Sequence, residues 1–333
     1  MTGASSDAPW ARQREFGSRR PLAILLWLVL RVGPVLAPLL VMPLVGWYLI
    51  AAGSSRAASR DYLRRALDRP SHFRDVARHF NNFAGAVLER IHLISGRDDR
   101  FDIRIEGLEH VTRVLDADQG CVLLGSHLGS FEVLRGIARH APVPVRPMMY
   151  RRNAGALTDL LDQLSPGLSD SVIEIGEPGS MLRAKEAVER GEMVGLLADR
   201  SPAGERLVTV PFLGSPAAFP AGPFVLAALL GVPVVLFYGL RLGPRRYLVR
   251  FEAFADRVVL DRSRRDEDLR HHVSRYAAAL EENCRAHPYN WFNFFAFWEP
   301  VQHAMPHASS TGRSDSDHAP GAGETGGGSV HPS

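Results

Sequence analysis

Three runs in the middle of this chain are apolar along nearly their whole length: Cys121-Val122-Leu123-Leu124, Met193-Val194-Gly195-Leu196-Leu197-Ala198 and Val234-Val235-Leu236-Phe237-Tyr238. A strand with one wet face alternates, so continuous runs rich in Val and Leu require cover on both faces. Between and after them come stretches with apolar residues at helical spacing, punctuated by glycine and proline. Short buried strands alternating with helices predict an α/β domain, a mostly parallel central sheet flanked by helices. The pattern places strands near 101–106, 121–125, 145–150, 172–175, 192–198, 234–238 and 247–254. Helices are expected at 108–115, after Ser130, and near 154–164, 178–190, 220–230 and 266–286. Chemistry in such sheets gathers at the carboxyl ends of the strands, so the residues just beyond each run matter most.

After the first run comes Gly125-Ser126-His127-Leu128-Gly129-Ser130-Phe131-Glu132. His127 sits where the strand ends, Ser130 fits a helix N-cap, and Glu132 falls in the first turn of that helix. On a continuous helix, residues five apart lie about 140° out of phase. The two side chains therefore meet only across a turn, for which Gly129 has the backbone freedom. A carboxylate on one ring nitrogen fixes the tautomer and leaves the other nitrogen to take a proton from a hydroxyl. A hydroxyl activated in this way can attack a thioester with no covalent enzyme intermediate. With 13 histidines and 36 acidic residues the spacing alone is weak, but His127 is the only histidine with an acid five positions on. The plainer reading, a hydrogen-bonded histidine at a strand end, stays open on these residues alone.

Residues 1–20 are polar and carry Arg12, Arg14, Arg19 and Arg20. Residues 22–50 are almost wholly apolar, interrupted by Arg31 and by Pro34, Pro38 and Pro43. From 32 to 50 there is no charge, close to the ~20 residues a bilayer span requires. The chain divides into a basic N-terminus (1–20), an N-terminal hydrophobic membrane anchor (21–50), a helical connector (51–100), the α/β domain (101–303) and a disordered tail (304–333). The apolar run is long for a signal peptide and lacks a clean small-residue cleavage site. Arginines on both sides, including Arg56, Arg60, Arg64, Arg65 and Arg69, favour the cytoplasm for both flanks. A bent or re-entrant insertion fits the run as well as a single crossing. In the connector, Phe73, Val76, Phe80, Phe83, Val87, Leu88 and Ile91 set an apolar stripe on a helix over 71–95. The 39 basic and 36 acidic residues leave a net charge of +3, without the concentrated basic stripe of a nucleic-acid binder. Cys121 and Cys284, the only cysteines, point to neither a disulfide framework nor a Cys-rich metal site.

The 193–198 run ends in Asp199-Arg200, again at a carboxyl end; both side chains could face the cleft of His127 or simply pair at the surface. Tyr150-Arg151-Arg152-Asn153 follows another strand end, and arginines there could hold phosphate or the acidic face of a carrier. Pro211-Phe212-Leu213-Gly214 and Phe219-Pro220-Ala221-Gly222-Pro223 read as a Pro/Gly-punctuated loop before a helix, able to line a pocket.

Taken in order, Ser126-His127-x4-Glu132, Leu197-Ala198-Asp199, Pro211-Phe212-x-Gly214, Pro220-x-Gly222-Pro223, Gly231-Val232-Pro233-Val234-Val235 and Asn290-Trp291-Phe292-Asn293-Phe294-Phe295-Ala296-Phe297-Trp298 carry a resemblance. The pattern resembles the bacterial lipid A biosynthesis (late) acyltransferases of the lysophospholipid acyltransferase superfamily, over roughly 20–300. The resemblance implies an enzyme of the bacterial inner membrane, its site on the cytoplasmic face. It would move a fatty acyl chain from acyl carrier protein, or coenzyme A, to a hydroxyl of a lipid A precursor or related glycolipid. It further implies His127 as general base and Glu132 as its orienting carboxylate, and sets Asp199 on the family's strand-end aspartate. With Arg151, Arg152 and Arg200 at strand ends and Gly222 in the loop, Asp199 is expected to bind substrate. No metal or other cofactor is implied. The partners would be acyl carrier protein, a lipid acceptor and the bilayer, and not nucleic acid. Asp199-Arg200 stands where such enzymes commonly have Asp-Gln or Asp-His, which leaves the acceptor open, polyene-type acceptors included. Two other classes compete: an esterase using water in place of the hydroxyl, and a non-catalytic membrane scaffold. No Gly-x-Ser-x-Gly elbow supports the first, and the His127–Glu132 pattern speaks against the second.

Overall fold

The computed structural model describes residues 31–32, 42–43, 45–94, 98–134, 144–150, 171–200 and 204–298. Two helices, α1 (Gly53–Ala66) and α2 (Phe73–Ile94), precede the α/β part. That part runs β1 (Asp102–Glu106), α3 (Leu108–Leu115), β2 (Cys121–Gly125), β3 (Val145–Met149), β4 (Ile173–Glu174), α4 (Ser180–Glu189) and β5 (Met193–Leu197). It continues through β6 (Leu207–Phe212), β7 (Ser215–Pro220), α5 (Gly222–Leu230), β8 (Val234–Gly243), β9 (Arg246–Ala255) and α6 (Arg265–Ala286). One seven-stranded sheet has the order β1-β9-β8-β2-β5-β3-β4. Its pairings from β8 across to β4 are parallel; β9 runs antiparallel to β8, and β1 lies parallel to β9. The expected mostly parallel α/β sheet is what the chain builds.

Strand periodicity explains why the runs are unbroken. Val122 and Leu124 of β2, Val194 and Leu196 of β5, and Val234, Leu236, Tyr238 and Leu240 of β8 join one core. Their alternate neighbours Cys121, Leu123, Met193, Val235 and Phe237 join a second. Helices α1, α2, α4, α5 and α6 contribute to the first core and α3 to the second. Each fully buried Val or Leu contributes about 1.5–3 kcal/mol, so both faces hold the sheet. On α6 the residues Leu269, Val273, Tyr276, Leu280 and Cys284 are buried at helical spacing. Asp266, Glu267 and Asp268 in its first turn and Arg285 in its last complement the helix dipole.

Helix α2 departs from a simple apolar stripe. Val76, Phe80, Leu88 and Ile91 are buried as expected, but Phe73 is 64% exposed, and Asp75, His79, Glu89 and His92 are buried with the core. Glu89 is satisfied by Arg241 through Nε and Nη2 at 2.8 Å each, by the Tyr247 hydroxyl at 2.7 Å and by the Arg245 N–H at 3.0 Å. A buried carboxylate persists only when paired and fully hydrogen-bonded, and this one clamps α2 to β8.

The Pro/Gly-punctuated segment is not a loop but the hairpin β6–β7. Val208, Val210 and Phe212 alternate inward, and Leu213-Gly214 turn the chain with φ of 48° and 78°. A two-residue turn with two positive φ values matches the strand twist. Pro211 and Pro216 face each other across the ribbon, where a missing N–H is tolerated because both strands are edges.

The expected helix at 154–164, the helix after Ser130 beyond residue 134, the basic N-terminus, most of the apolar run and the tail lie outside the described residues. Among the described residues no helix is long and apolar enough to cross a membrane.

Candidate active site

Strands β2 and β5 are parallel neighbours with Gly125 opposite Leu197. Two residues past each strand end, the shared register sets His127 beside Asp199. Asp199 Oδ1 lies 2.8 Å from His127 Nδ1, and Asp199 Oδ2 accepts the His127 backbone N–H at 3.0 Å. The same Oδ2 accepts the indole N–H of Trp291 at 2.9 Å, and both Asp199 and Trp291 are fully buried. An ionised acceptor on Nδ1 keeps the ring proton there and leaves Nε2 as the basic nitrogen. The His127 side chain keeps a third of its surface exposed, at 33%. Among the described residues no hydrogen bond occupies Nε2.

Backbone hydrogen bonds also hold the loop carrying His127. Gly129 donates its N–H to Asn290 O at 2.8 Å, Ser130 donates to Gly239 O at 2.8 Å, and Phe292 donates to His127 O at 2.9 Å. Gly129 has φ of 84°, and a Cβ there would sit 1.9 Å from Gly239 O, so only glycine fits the turn. Below it, the Tyr276 hydroxyl from α6 donates to Gly125 O at 2.8 Å.

Electrostatics favour a neutral His127. Burial lowers its pKa first, the Arg200 charge lowers it further, and Asp199 and Glu132 oppose both. Burial alone would raise Asp199, but His127, by its hydrogen bond and by its charge once protonated, with Arg200 and the Trp291 N–H, holds it well below the usual carboxylate range. Arg200 donates through Nη2 to Phe292 O at 2.5 Å, and its Cζ lies 5.4 Å from the Phe295 ring centre. The resulting trio of neutral imidazole, carboxylate and guanidinium is suited to accept one proton without leaving a net buried charge of two.

Residues 18–299 match the family described as bacterial lipid A biosynthesis acyltransferase. The chain belongs to that family. No curated protein matches it. Acyl transfer is the activity of the lipid A biosynthesis acyltransferases, lipid A-like molecules being the acceptors that description implies.

Within this acyltransferase scaffold the sequence-derived residues fall in different places. The contact expected between His127 and Glu132 is not the one formed: Asp199 occupies Nδ1. Glu132 instead meets Arg90 of α2, Oε1 to Nε at 2.7 Å, and accepts the Ser130 hydroxyl on Oε2 at 3.1 Å. The turn at Gly129 brings Glu132 to α2, while strand register brings Asp199 to the ring. Arg200 is beside the pair, as expected of a residue at that strand end. Gly222 opens α5, its N–H bonded to Glu205 Oε1 at 3.1 Å, and a Cβ there would lie 2.1 Å from that oxygen. Its glycine is explained by that close approach, and no described contact joins it to His127. Arg151 and Arg152 lie outside the described residues.

Two residues were not legible as part of the site, Trp291 and His79. His79 is fully buried, with Nδ1 at 2.8 Å from the Ser59 hydroxyl and Nε2 at 2.8 Å from Trp291 O. Burial pulls its pKa down to about 4, against the partial support of the Trp291 carbonyl. The available signal was a histidine on the apolar face of an amphipathic helix, matched by an aromatic run, Asn290 to Trp298, far along the chain.

Proposed function

We propose that this acyltransferase is membrane-associated and transfers a fatty acyl chain from acyl carrier protein, or coenzyme A, to a hydroxyl of a lipid A precursor or related glycolipid. The observation that supports it best is the His127 ring at the carboxyl ends of β2 and β5, with Nδ1 held by buried Asp199 and Nε2 taken by no hydrogen bond among the described residues. In the proposed step the acceptor oxygen attacks the thioester carbonyl as its proton passes to Nε2. Asp199 stabilises the imidazolium so formed. Collapse of the tetrahedral adduct breaks the C–S bond, and the proton moves from Nε2 to the departing thiolate. Atoms and charges balance without a covalent enzyme intermediate. Base catalysis of this kind typically supplies about 10²–10⁴ in rate. Glu132 adds negative field at the ring, and Arg200, Arg151 and Arg152 are assigned to the phosphate-bearing donor, a guanidinium being suited to that group.

Incubating the purified full-length protein with labelled acyl-carrier protein and total membrane lipid tests the reading. Labelled lipid supports it, free fatty acid alone makes the protein an esterase, and neither product refutes both. Lipid profiling of a deletion strain then names the acceptor. The site is proposed to lie on the cytoplasmic face of the inner membrane, where acyl carrier protein is made, with residues 21–50 as an uncleaved anchor and both flanks cytoplasmic. A reporter that functions only outside the inner membrane, fused to the N-terminus, should stay silent; a strong signal would mean one ordinary span.

A further inference from the structure

With His127 as the base of the proposed reaction, its strength depends on how Asp199 holds the Nδ1 proton, and Asp199 is itself held from outside the sheet. Trp291 donates its indole N–H to Asp199 Oδ2 at 2.9 Å, the oxygen that also accepts the His127 backbone N–H. The indole has no room to swing away. It stands against Tyr62, Phe212 and Phe297 at ring separations of 4.9, 5.4 and 4.9 Å. Its backbone is pinned as well: its carbonyl meets His79 Nε2 at 2.8 Å, and the residue forms a β-bridge with Leu128, the neighbour of His127. A tryptophan serving only to fill an apolar cage would send its N–H to a backbone carbonyl. Trp298 does so, on Phe212 O at 3.3 Å.

We propose that Trp291 is a positioning residue for the acyl-transfer base, its indole N–H sharing the charge of Asp199 and thereby setting the orientation and basicity of His127. The other charged groups around the ring are Arg200, next to Asp199, and Glu132, which is paired with Arg90 of α2. From α6 the titratable groups that feel Asp199 are Tyr276, whose hydroxyl is spent on Gly125 O, and the buried thiol of Cys284.

Removing the indole N–H concentrates charge on Asp199, which then favours the protonated ring, and frees the carboxylate to turn. Trp291→Phe should lower kcat/KM by about tenfold or more, as expected for one hydrogen bond to a charged group. It should also move the acidic limb of the pH profile upward. Trp298→Phe removes an indole from the same aromatic cage without touching Asp199 and should leave that limb in place. Imidazole NMR on the detergent-solubilised full chain reads the His127 titration midpoint directly, so the coupling is tested even if no acyl transfer is found. An upward midpoint in W291F and none in W298F is the expected result. No movement in W291F, or equal movement in both, overturns the assignment. If W291F does not fold, benzothienylalanine at 291, which exchanges only the N–H for sulfur, is read by the same two outcomes.

Discussion

Two carboxylates approach His127 and are held in opposite ways. Asp199 lies on the closed side, fully buried, with donors from the His127 ring, the His127 backbone and Trp291. Glu132 is 13% exposed, in an ion pair with Arg90, whose side chain is 32% exposed. A buried charge stripped of one partner typically destabilises by about 3–5 kcal/mol, so Asp199 has one position only. Solvent reaches the Glu132–Arg90 pair through its arginine and weakens it relative to a fully buried one. The contrast separates two tasks around one imidazole. One carboxylate fixes the ring, and the other adds negative field from its pair with α2.

The sharpest test removes the ring that both carboxylates serve. His127→Ala should lower acyl transfer by about 10²–10⁴ with circular dichroism near wild type and a lower melting point, because buried Asp199 loses its ring donor. A folded variant with near-normal turnover would end the general-base reading.

Next comes the closed side. Asp199→Asn should lower kcat by about 10²-fold, from lost hydrogen bonding to a charged ring. Asp199 raises the His127 pKa against burial and Arg200, so its loss should shift the acidic limb downward, opposite to Trp291→Phe. A limb that moves upward would break the assignment of Asp199 as the ring's partner.

The closed side also has an acid signature. His79 titrates at about 4 in the fold, against about 6.5 when unfolded. Between those values the unfolded chain binds a proton that the folded one refuses, so stability falls as pH drops through that window. The full contribution is on the order of 3 kcal/mol. His127, His272 and His287 are shifted in the same direction and add to the slope. Thermal melts of His79→Gln should show a shallower decline from pH 6.5 to 4 than wild type; equal slopes would place the acid sensitivity elsewhere.

The smallest effect is expected at Glu132. Glu132→Gln should reduce turnover by less than about tenfold, because the base keeps its Asp199 hydrogen bond and loses only the added field of Glu132. Should it match His127→Ala, Glu132 must take the ring during the reaction, and the division between the two carboxylates collapses.

The sheet was readable because its cause is local. Runs such as Val234 to Tyr238 are unbroken, and nothing but cover on both faces explains them. His127 was readable for the same reason, standing where a buried run gives way to Gly-rich chain. Its partner was legible only as a residue able to face the same cleft. Asp199 is adjacent only because β2 and β5 pair in register, and strand order is invisible to spacing. Glu132, close in sequence, drew the reading away from it. The hairpin at Leu207–Phe212 and Ser215–Pro220 was obscured because Pro211 and Pro216, usually strand breakers, fall on edges. Trp291 was seen only as one member of an aromatic run, since its function resides in a single N–H aimed across the fold.

The three residues of the closed side are also far apart in time. Asp199 contacts a residue 72 positions before it and one 92 positions after it. At roughly 5–20 residues per second of synthesis, about 5–20 s separate the making of Asp199 from the making of Trp291. During that interval a nascent chain has both central strands and both halves of the His127–Asp199 pair, yet its carboxylate lacks the donor that fixes it. Ribosome-bound chains stalled before Asn290 should therefore transfer no acyl group, and completion and release of the chain should restore transfer. With residues 21–50 as the proposed anchor, such a chain reaches the bilayer before it can modify anything there.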